Sequence, residues 1–175
     1  MKKIITLLFV FIISLSLAYA DNDKSNIALG KTVAVNSGKF FVGGWGGGLI
    51  SDYSTITDGM IFELWHQWDQ GPIWWQENID NIQNTLTVFL GSKSCKVIKL
   101  SLQVDNNDDY IVSWVDSHTH ITDHVNIIPA RNWGMSNISV NINAYTNAFV
   151  IRHDEHGAGD NLYAISEFQA FGKCD

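Results

Sequence analysis

Basic residues are scarce in this sequence. Its 175 residues include 11 lysines and arginines against 18 aspartates and glutamates, so the formal net charge is −7 at pH 7. Nucleic acids and anionic lipid surfaces bind proteins that present clustered positive charge. The charge balance therefore argues against both as the main partner, and it leaves neutral ligands, cations and other proteins.

Long apolar runs are also few, and the one clear example stands at the N-terminus. Two lysines precede an apolar stretch at residues 4–17, and small residues follow at 18–20. This order is typical of a secretory signal peptide, and about fourteen apolar residues are short for a membrane span of roughly twenty. We predict a signal peptide at 1–20, cleavage before Asp21, and a secreted or periplasmic domain at 21–175 without an integral membrane segment. An uncleaved membrane anchor is the alternative.

Cysteine occurs only twice, at Cys95 and Cys174. In an exported protein an even pair predicts a disulfide, with free thiols or an intermolecular bridge as the alternatives. Cys95 precedes a predicted strand that begins at Lys96, and Cys174 follows one that ends near Phe171. If these strands are antiparallel neighbours, the start of one lies beside the end of the other, and the cysteines come within bridging distance.

Helical periodicity is nearly absent beyond the N-terminal segment. Apolar residues instead alternate with polar ones, as at 86–90, 98–104 and 138–142, and turn-forming clusters such as 105–109 separate these runs. Alternation with a period of two is typical of strands that bury one face. Several short strands at this spacing predict one antiparallel β-sandwich or barrel over residues 21–175.

The last predicted strand contains an acid in an apolar setting. Period-two alternation places Glu167 on the same face as Ile165 and opposite Phe168. A carboxylate in that position is expected to be buried, and a buried carboxylate needs a partner.

Four stretches along the chain resemble the motifs of a known family in their order. They are NIALGKTVAVNS at 26–37, ITDG at 56–59, LTVFLGSKSCKVIKLSL at 86–102, and FVIRH with YAISEFQAFG within 149–172. The family is the discoidin family, also called coagulation factor 5/8 type C or galactose-binding-like domains, and DNNDDY, NWGM and GDNLYAISEFQAFG resemble its bacterial exported branch. The resemblance covers nearly all of residues 21–175. It implies a jelly-roll β-sandwich of about eight antiparallel strands and a binding role, usually for glycans.

The resemblance also implies a structural calcium ion. Many members hold one calcium between the Asp-Gly turn and the glutamate of the closing strand, because hard cations take oxygen ligands. Carried over to this chain, the side chains are those of Asp58 and Glu167, with backbone carbonyls near Thr55, Met60 and Ser166. The alternative is that ITDG is only a turn and that Glu167 is an exposed strand residue.

Polar turns and loop tryptophans supply the candidate ligand-binding residues. Carboxylates and amides hydrogen-bond sugar hydroxyls, and an exposed tryptophan stacks on the C–H face of a sugar ring. The candidates are Asp105, Asn106, Asn107 and Asp108 in DNNDD, Arg131 and Trp133 in ARNWGM, Asp160 and Asn161 in HDEHGAGDN, and Trp45 among five glycines.

The two acidic turns are expected to meet at one end of the sandwich. If a disulfide ties one end of strands 96–104 and 165–171, their other ends also meet. There DNNDD follows the first strand and HDEHGAGDN precedes the second, which predicts one polar, ligand-facing rim. The alternatives are that DNNDD is only a hairpin turn with Asx hydrogen bonds, that Arg131 pairs with an acid, and that Trp45 folds back on the sandwich.

Sequence signatures of catalysis are missing. The chain has no Gly-x-Ser-x-Gly elbow, no His-Glu-x-x-His segment and no Ser-His-Asp set at a recognisable spacing. Histidines in HTHITDH and HDEHGAGD leave zinc as an alternative metal. We therefore predict a non-enzymatic, exported module that binds carbohydrate or a cell-surface glycan, with Ca²⁺ as its cofactor. The alternative is a protein-interaction or scaffold subunit of a cell-envelope or secretion assembly, whose partners are envelope proteins.

Overall fold

The computed structural model describes residues 25–42, 52–64, 71–76 and 84–175. The predicted signal peptide at 1–20, its cleavage before Asp21, and Trp45 lie outside these residues. Within the described ranges, no helix has the length and apolar character needed to cross a membrane.

Nine strands carry the fold in the part of the chain that the structure describes. They are β1 (Val33–Ser37), β2 (Ile73–Gln76), β3 (Thr85–Phe89), β4 (Cys95–Asp105), β5 (Tyr110–Val115), β6 (Thr122–Ile127), β7 (Met135–Thr146), β8 (Ala148–His153) and β9 (Leu162–Cys174). One sheet has the order β1-β3-β8-β5-β6, the other has the order β2-β9-β4-β7, and all paired strands are antiparallel. A short 3-10 helix, Ser54–Thr57, lies between β1 and β2.

The two sheets pack face to face around a shared aromatic core. Phe149 of β8 lies against Phe168 of β9 with ring centroids 5.6 Å apart, and Trp75 of β2 lies against Tyr110 of β5 at 6.2 Å. All four of these side chains are buried. Because successive side chains of a strand point to opposite faces, each sheet contributes one apolar face to this core. The predicted all-β antiparallel sandwich is confirmed.

The central β4–β9 pair contains two β-bulges that break the predicted alternation. The first lies between Val97 and Lys99, and it leaves Ile98 partly exposed while Val97 is buried. The second adds Ser166 opposite the Gln103–Val104 step of β4. As a result Ile165 and Phe168 both enter the core. The prediction that Glu167 shares the face of Ile165 is therefore wrong, because a bulge inserts one extra residue into the period of two.

The predicted disulfide between Cys95 and Cys174 is present. The two residues are direct partners in the β4–β9 ladder, at the first residue of β4 and the last residue of β9, with their Cα atoms 3.9 Å apart. The bond closes a loop between residues 79 positions apart in sequence. It therefore marks one end of the sandwich, and the turns that follow β4 and precede β9 lie at the other end.

Candidate functional site

Three loops meet at the end of the sandwich opposite the disulfide, and we call this end the rim. The loops are the β4–β5 turn (105–109, counted from the last residue of β4), the β6–β7 loop (128–134) and the β8–β9 loop (154–161). The backbone N–H of Asp154 donates to the carbonyl of Asp109 at 2.9 Å, and the N–H of Asp109 donates to the carbonyl of Ala158 at 3.2 Å. The structure thus brings DNNDD and HDEHGAGDN side by side, as the strand order predicted.

Arg131 links all three loops. Its Nη1 donates to the carbonyls of Asn107 at 3.0 Å and Ala158 at 2.9 Å, and its Nη2 pairs with Oδ2 of Asp109 at 2.5 Å. The backbone of Arg131 has a positive φ of 64°, a conformation that costs free energy and persists where surrounding contacts enforce it. The sequence left open whether Arg131 faces a ligand or pairs with an acid. In the structure it pairs with an acid, and its main effect is to position the rim.

Asn106 fixes the loop that carries Trp133. Its Oδ1 accepts a hydrogen bond from the N–H of Ala130 at 3.0 Å, and its carbonyl accepts one from the N–H of Arg131 at 2.9 Å. Its own N–H donates to the carbonyl of Gly134 at 3.0 Å. These bonds bracket Trp133, which is 65% exposed, whereas Asn106 is only 1% exposed. Trp133 is therefore a solvent-exposed aromatic side chain on an anchored loop.

Two acids of the β4–β5 turn lie beneath the rim surface. Asp105 and Asp108 are 2% and 0% exposed. Oδ1 of Asp108 accepts a hydrogen bond from the N–H of Asp160 at 3.0 Å. Burial raises the pKa of Asp105 to about 7, and burial together with the nearby Asp105 and Asp160 charges raises the pKa of Asp108 to about 8. These two carboxylates lie under the surface and do not face solvent.

The predicted ligand residues within the described ranges therefore divide by exposure. Arg131, Trp133, Asp160 and Asn161 are exposed, Asn107 is half-buried, and Asp105, Asn106 and Asp108 are buried. Nδ2 of Asn107 donates to Oδ2 of Asp160 at 3.2 Å, which orients an exposed carboxylate on the rim. Among the described residues, the exposed rim candidates are thus one aromatic side chain, Trp133, and the polar side chains of Arg131, Asp160 and Asn161.

Two features of the rim were missed in the sequence. Asp109, the partner of Arg131, belongs to DNNDD but is not among the predicted ligand-binding residues. Gly159 was not singled out either, although a Cβ atom at that position would stand 1.7 Å from Oδ1 of Asp108. Gly157 is similar, since its Cβ would stand 2.5 Å from Cβ of Asp109. The spacing HGAGD is a signal for such close backbone approach, because glycine is required where another chain segment leaves no room for a side chain.

The Asp58 turn and Glu167, predicted to share a calcium ion, are in contact. The N–H of Gly59 donates to Oε2 of Glu167 at 3.2 Å, and the N–H of Met60 donates to Oδ1 of Asp58 at 2.7 Å. Thr55 lies in the 3-10 helix just before this turn. Ser166, at the bulge, precedes Glu167 in β9.

Glu167 lies on the outer face of the four-stranded sheet and is buried by the segment that follows Gly59. The side chain of Gln103, the ladder partner of Glu167, accepts from the N–H of Phe62 at 2.9 Å and donates to its carbonyl at 2.8 Å. Glu167 is 0% exposed, and its Oε1 has no hydrogen-bond partner. Burial, with a contribution from the Asp58 charge, raises its pKa to about 7. A buried, unpaired carboxylate oxygen beside a second carboxylate fits a hard cation.

Histidines do not form a metal cluster in the described part of the chain. No group of three or more His, Cys, Asp or Glu side chains that could hold a metal ion is found there. His153 is buried and stacked on Tyr163 at 4.6 Å, at the rim end of β8, whereas His118 lies on Tyr145 at 4.2 Å, near the disulfide end. His153 and His118 therefore lie at opposite ends of the sandwich.

An apolar groove of about 470 Å³ runs beside the rim. It lies along edge strand β7 and the β6–β7 loop that carries Trp133. Its lining includes Leu64, Ile128, Pro129, Met135, Asn137 and Ile138. Ile128 and Leu64 are more than half exposed, so the groove is open to solvent.

Solved structures with the same architecture are lectin domains and carbohydrate-binding modules. The lectin domain of lectinolysin, solved with Lewis B antigen, aligns with a TM-score of 0.57 and 13% identity over 85% of this chain and 97% of that one. The jelly-roll fold is shared. CpGH89CBM32-4 from Clostridium perfringens, solved with GlcNAc-α-1,4-galactose, aligns at 0.51 with 18% identity over 87% and 97% of the two chains. The family 32 carbohydrate-binding module of EndoD from Streptococcus pneumoniae aligns at 0.53 with 12% identity over 85% and 100%. No family profile and no curated protein matches the sequence.

Proposed function

We propose that the protein is an exported, non-catalytic module that binds carbohydrate at the rim. The observation that carries this proposal is Trp133, which is 65% exposed on a loop held by Asn106 and Arg131. A tryptophan contributes roughly 150–250 Å² of contact area, so an exposed and anchored one is a strong stacking surface. Because the loop is already ordered, a ligand that stacks on this ring meets little ordering cost.

Polar groups beside the ring provide the hydrogen bonds that a sugar needs. The exposed carboxylate of Asp160 is oriented by Asn107, and exposed Asn161 follows it with a positive φ of 68°. A carboxylate accepts hydrogen bonds from hydroxyl groups, and an amide both accepts and donates them. The combination suits a neutral, hydroxyl-rich ligand that has an apolar face.

The groove along β7 favours a ligand longer than one sugar residue. Its floor combines apolar side chains, such as Met135 and Ile138, with polar ones, such as Asn137. A sugar bound on Trp133 would have its next residue within reach of this groove, because the same loop borders both. We therefore assign oligosaccharides, and not free monosaccharides, as the ligand class.

The solved structures that share the fold support a carbohydrate ligand. The ligands in these structures are Lewis B antigen for the lectinolysin lectin domain and GlcNAc-α-1,4-galactose for the Clostridium perfringens protein. Binding without catalysis also suits the rim, where the buried acids Asp105 and Asp108 lack the exposure that a general acid and base need toward a substrate.

Export belongs to the same proposal. The Cys95–Cys174 disulfide supports it, because such bonds persist in oxidising compartments. The charged start, apolar run and small residues at 18–20 add the expected targeting segment. Secretion or release into a periplasm would place the rim where glycans are available.

A structural calcium ion is the third part of the proposal. Asp58 and Glu167 would hold it, with backbone carbonyls near Thr55, Met60 and Ser166 completing the coordination. The bound cation would neutralise the buried Glu167 carboxylate and fasten the Asp58 turn to β9. The contact between Gly59 and Glu167, together with the unpartnered Oε1, supports this assignment.

A glycan array with the wild-type protein and two variants tests the carbohydrate proposal. We expect Trp133→Ala to weaken binding to any glycan that binds the wild type by about tenfold or more, which corresponds to roughly 1.4 kcal/mol. Asp160→Ala should weaken it as well, because hydroxyl hydrogen bonds are lost. Isothermal titration calorimetry with the best glycan would quantify both losses.

Ile121→Ala is the matched control for the tryptophan variant. Ile121 is also 65% exposed, but it lies in the β5–β6 turn near the disulfide end. We expect its removal to leave glycan affinity unchanged. Equal affinities of wild type, Trp133→Ala and Asp160→Ala, with unchanged melting temperatures, would exclude the rim as the binding site.

A further inference from the structure

The β4–β5 turn contains buried acceptor oxygens that no donor reaches. Oδ2 of Asp105, Oδ1 of Asn107 and Oδ2 of Asp108 are all shielded from solvent, and none has a hydrogen-bond partner. Asp105 and Asp108 are almost completely buried as whole residues. A buried oxygen without a partner carries a desolvation cost, which is large for a carboxylate whenever it is ionised. A ligand with positive charge would remove that cost.

Most donors around this turn are already bonded to other acceptors. Arg131 gives its guanidinium to Asp109 and to two backbone carbonyls, and the N–H of Asp160 is bonded to the other oxygen of Asp108. The amide of Asn107 is oriented as well, because its Nδ2 donates to Asp160 and leaves Oδ1 as the acceptor. One donor of the turn, Nδ2 of Asn106, also lacks a partner, so acceptors outnumber donors among the unpartnered atoms.

The charges in the turn act on one another. The carboxylates of Asp105 and Asp160 both bear electrostatically on Asp108, and that of Asp160 bears on Asp105. Asp109 is neutralised by Arg131, but no ion pair of this kind is found for Asp105 or Asp108 in the described residues. Buried charges in proteins are paired or bind metal ions, so two adjacent unpaired carboxylates call for a cation.

We propose that the β4–β5 turn binds one divalent hard cation, Ca²⁺, through the side-chain oxygens of Asp105, Asn107 and Asp108. Carboxylate and amide oxygens within one loop are the ligand types that Ca²⁺ takes, and water molecules complete its six to eight ligands. The site is separate from the Asp58–Glu167 pair, since the charge acting on Glu167 is that of Asp58, whereas the charges acting on Asp105 and Asp108 are those of the turn itself and of Asp160. It does not depend on the rim binding carbohydrate.

The position of this cation would link it to the rim. Asp108 holds the β8–β9 loop through Asp160, and Asn106, within the same turn, holds the loop of Trp133. A cation that orders the turn would therefore order two neighbouring loops without touching their exposed side chains.

Calcium stoichiometry in a Glu167→Gln background tests the inference, because that substitution removes the other candidate site. The protein is stripped with chelator, and Ca²⁺ is titrated by isothermal titration calorimetry and by equilibrium dialysis. We expect one Ca²⁺ per chain and a rise in melting temperature on addition of Ca²⁺, since a ligand of the folded state stabilises it. No saturable binding in this protein overturns the proposal. If Glu167→Gln folds poorly, Asp58→Asn serves as the background.

Neutral, isosteric substitutions then locate the ion. Adding Asp105→Asn or Asp108→Asn should weaken Ca²⁺ binding by about tenfold or more, because ligand charge sets calcium affinity. Asp123→Asn, at an exposed residue of β6, removes the same charge and should leave affinity unchanged. If Asp105→Asn and Asp108→Asn both bind Ca²⁺ like their parent, the ion lies elsewhere and the assignment is wrong. A folded Asp108→Asn protein that is more stable than its parent in saturating Ca²⁺ would mean that a proton fills the site.

Discussion

Asn106 and Asp109 hold the rim together although little of either side chain reaches solvent. Oδ1 of Asn106 accepts hydrogen bonds from the N–H of Ala130 and from Oγ of Ser136, on either side of Trp133, and Oδ2 of Asp109 accepts from Arg131 and from the N–H of Ala158. Each acts through backbone groups that would otherwise be unsatisfied, so its loss would leave buried donors without acceptors. These two side chains are therefore positioning residues, and their effect on a ligand would pass through Trp133.

A second residue-scale feature is the burial of His153. It is 2% exposed and stacked on Tyr163, and burial, with a contribution from the Arg152 charge, lowers its pKa below the ordinary value of 6.5. Below about pH 6.5 His153 becomes protonated in the unfolded chain. In the folded protein it stays neutral until the pH is lower, because its pKa is lowered. The free energy of unfolding that His153 contributes is therefore lost as pH falls below about 6.5.

We predict that His153→Phe makes stability less sensitive to acid. Phenylalanine keeps an aromatic ring against Tyr163 and does not titrate. Urea denaturation of both proteins between about pH 7.5 and pH 5 should show a smaller loss of unfolding free energy in the variant. The raised-pKa acids act in the opposite direction in both proteins, so only the difference between the two slopes is informative. Parallel slopes would mean that His153 titrates alike in the folded and unfolded chain.

At the scale of elements, the rim is built by close approach of the β8–β9 loop to the β4–β5 turn. Gly159 permits this approach, since it has a φ of 154° and no side chain to meet Asp108. Two segments about fifty residues apart in sequence thereby share backbone hydrogen bonds. The loop and the turn are thus one structural unit.

We expect Gly159→Ala to disrupt the contact between the β8–β9 loop and the β4–β5 turn. Gly91→Ala should leave this contact intact. Both glycines have nearly the same backbone conformation, with φ values of 154° and 152°, but a Cβ at Gly91 meets nothing within 4 Å. Both substitutions therefore place alanine at a similar φ. Only Gly159→Ala also brings a Cβ atom against Asp108. We expect Gly159→Ala to be less stable than Gly91→Ala by about 1–3 kcal/mol in urea denaturation. Equal unfolding free energies would show that the loop relaxes away from Asp108 at little cost.

At the scale of the whole molecule, the sandwich is tied at one end by a covalent bond and at the other by the rim. The disulfide joins the first residue of β4 to the last residue of β9, and these two strands are the central pair of their sheet. Because the bond closes a long loop, it restricts the unfolded chain more than it adds contacts to the folded one. Its loss should lower stability and leave the opposite end intact.

We predict that the double variant Cys95→Ala, Cys174→Ala is less stable than the wild type by about 4 kcal/mol in the chain-entropy account. Alanine fits at Cys95, which is 1% exposed, without adding volume to the core. Urea denaturation gives the difference, and the intrinsic fluorescence of Trp133 and its neighbours reports whether the folded rim is unchanged. A loss below about 1 kcal/mol would show that the unfolded chain is already constrained in this region.

Much of the architecture follows from local rules that can be read in the sequence. Alternation at 86–90 and 138–142 predicted strands, because the pleat places every second side chain on one face. The positions of Cys95 and Cys174 at opposite ends of neighbouring strands predicted both their pairing and the meeting of DNNDD with HDEHGAGDN. These inferences also assumed that the two strands are antiparallel neighbours, which the β4–β9 ladder bears out.

Tertiary structure decided which polar residues face solvent. DNNDD reads as an exposed acidic turn, yet Asp105 and Asp108 are buried, and the β8–β9 loop, about fifty residues further along the chain, folds over Asp108. The sequence is equally consistent with Arg131 as a ligand contact and as an ion-pair partner. In the structure it forms an ion pair with Asp109. The extra residue at Ser166 shifted Glu167 to the outer face. In each case the outcome depended on hydrogen bonds and close packing between segments distant in sequence, which residue type and period do not encode.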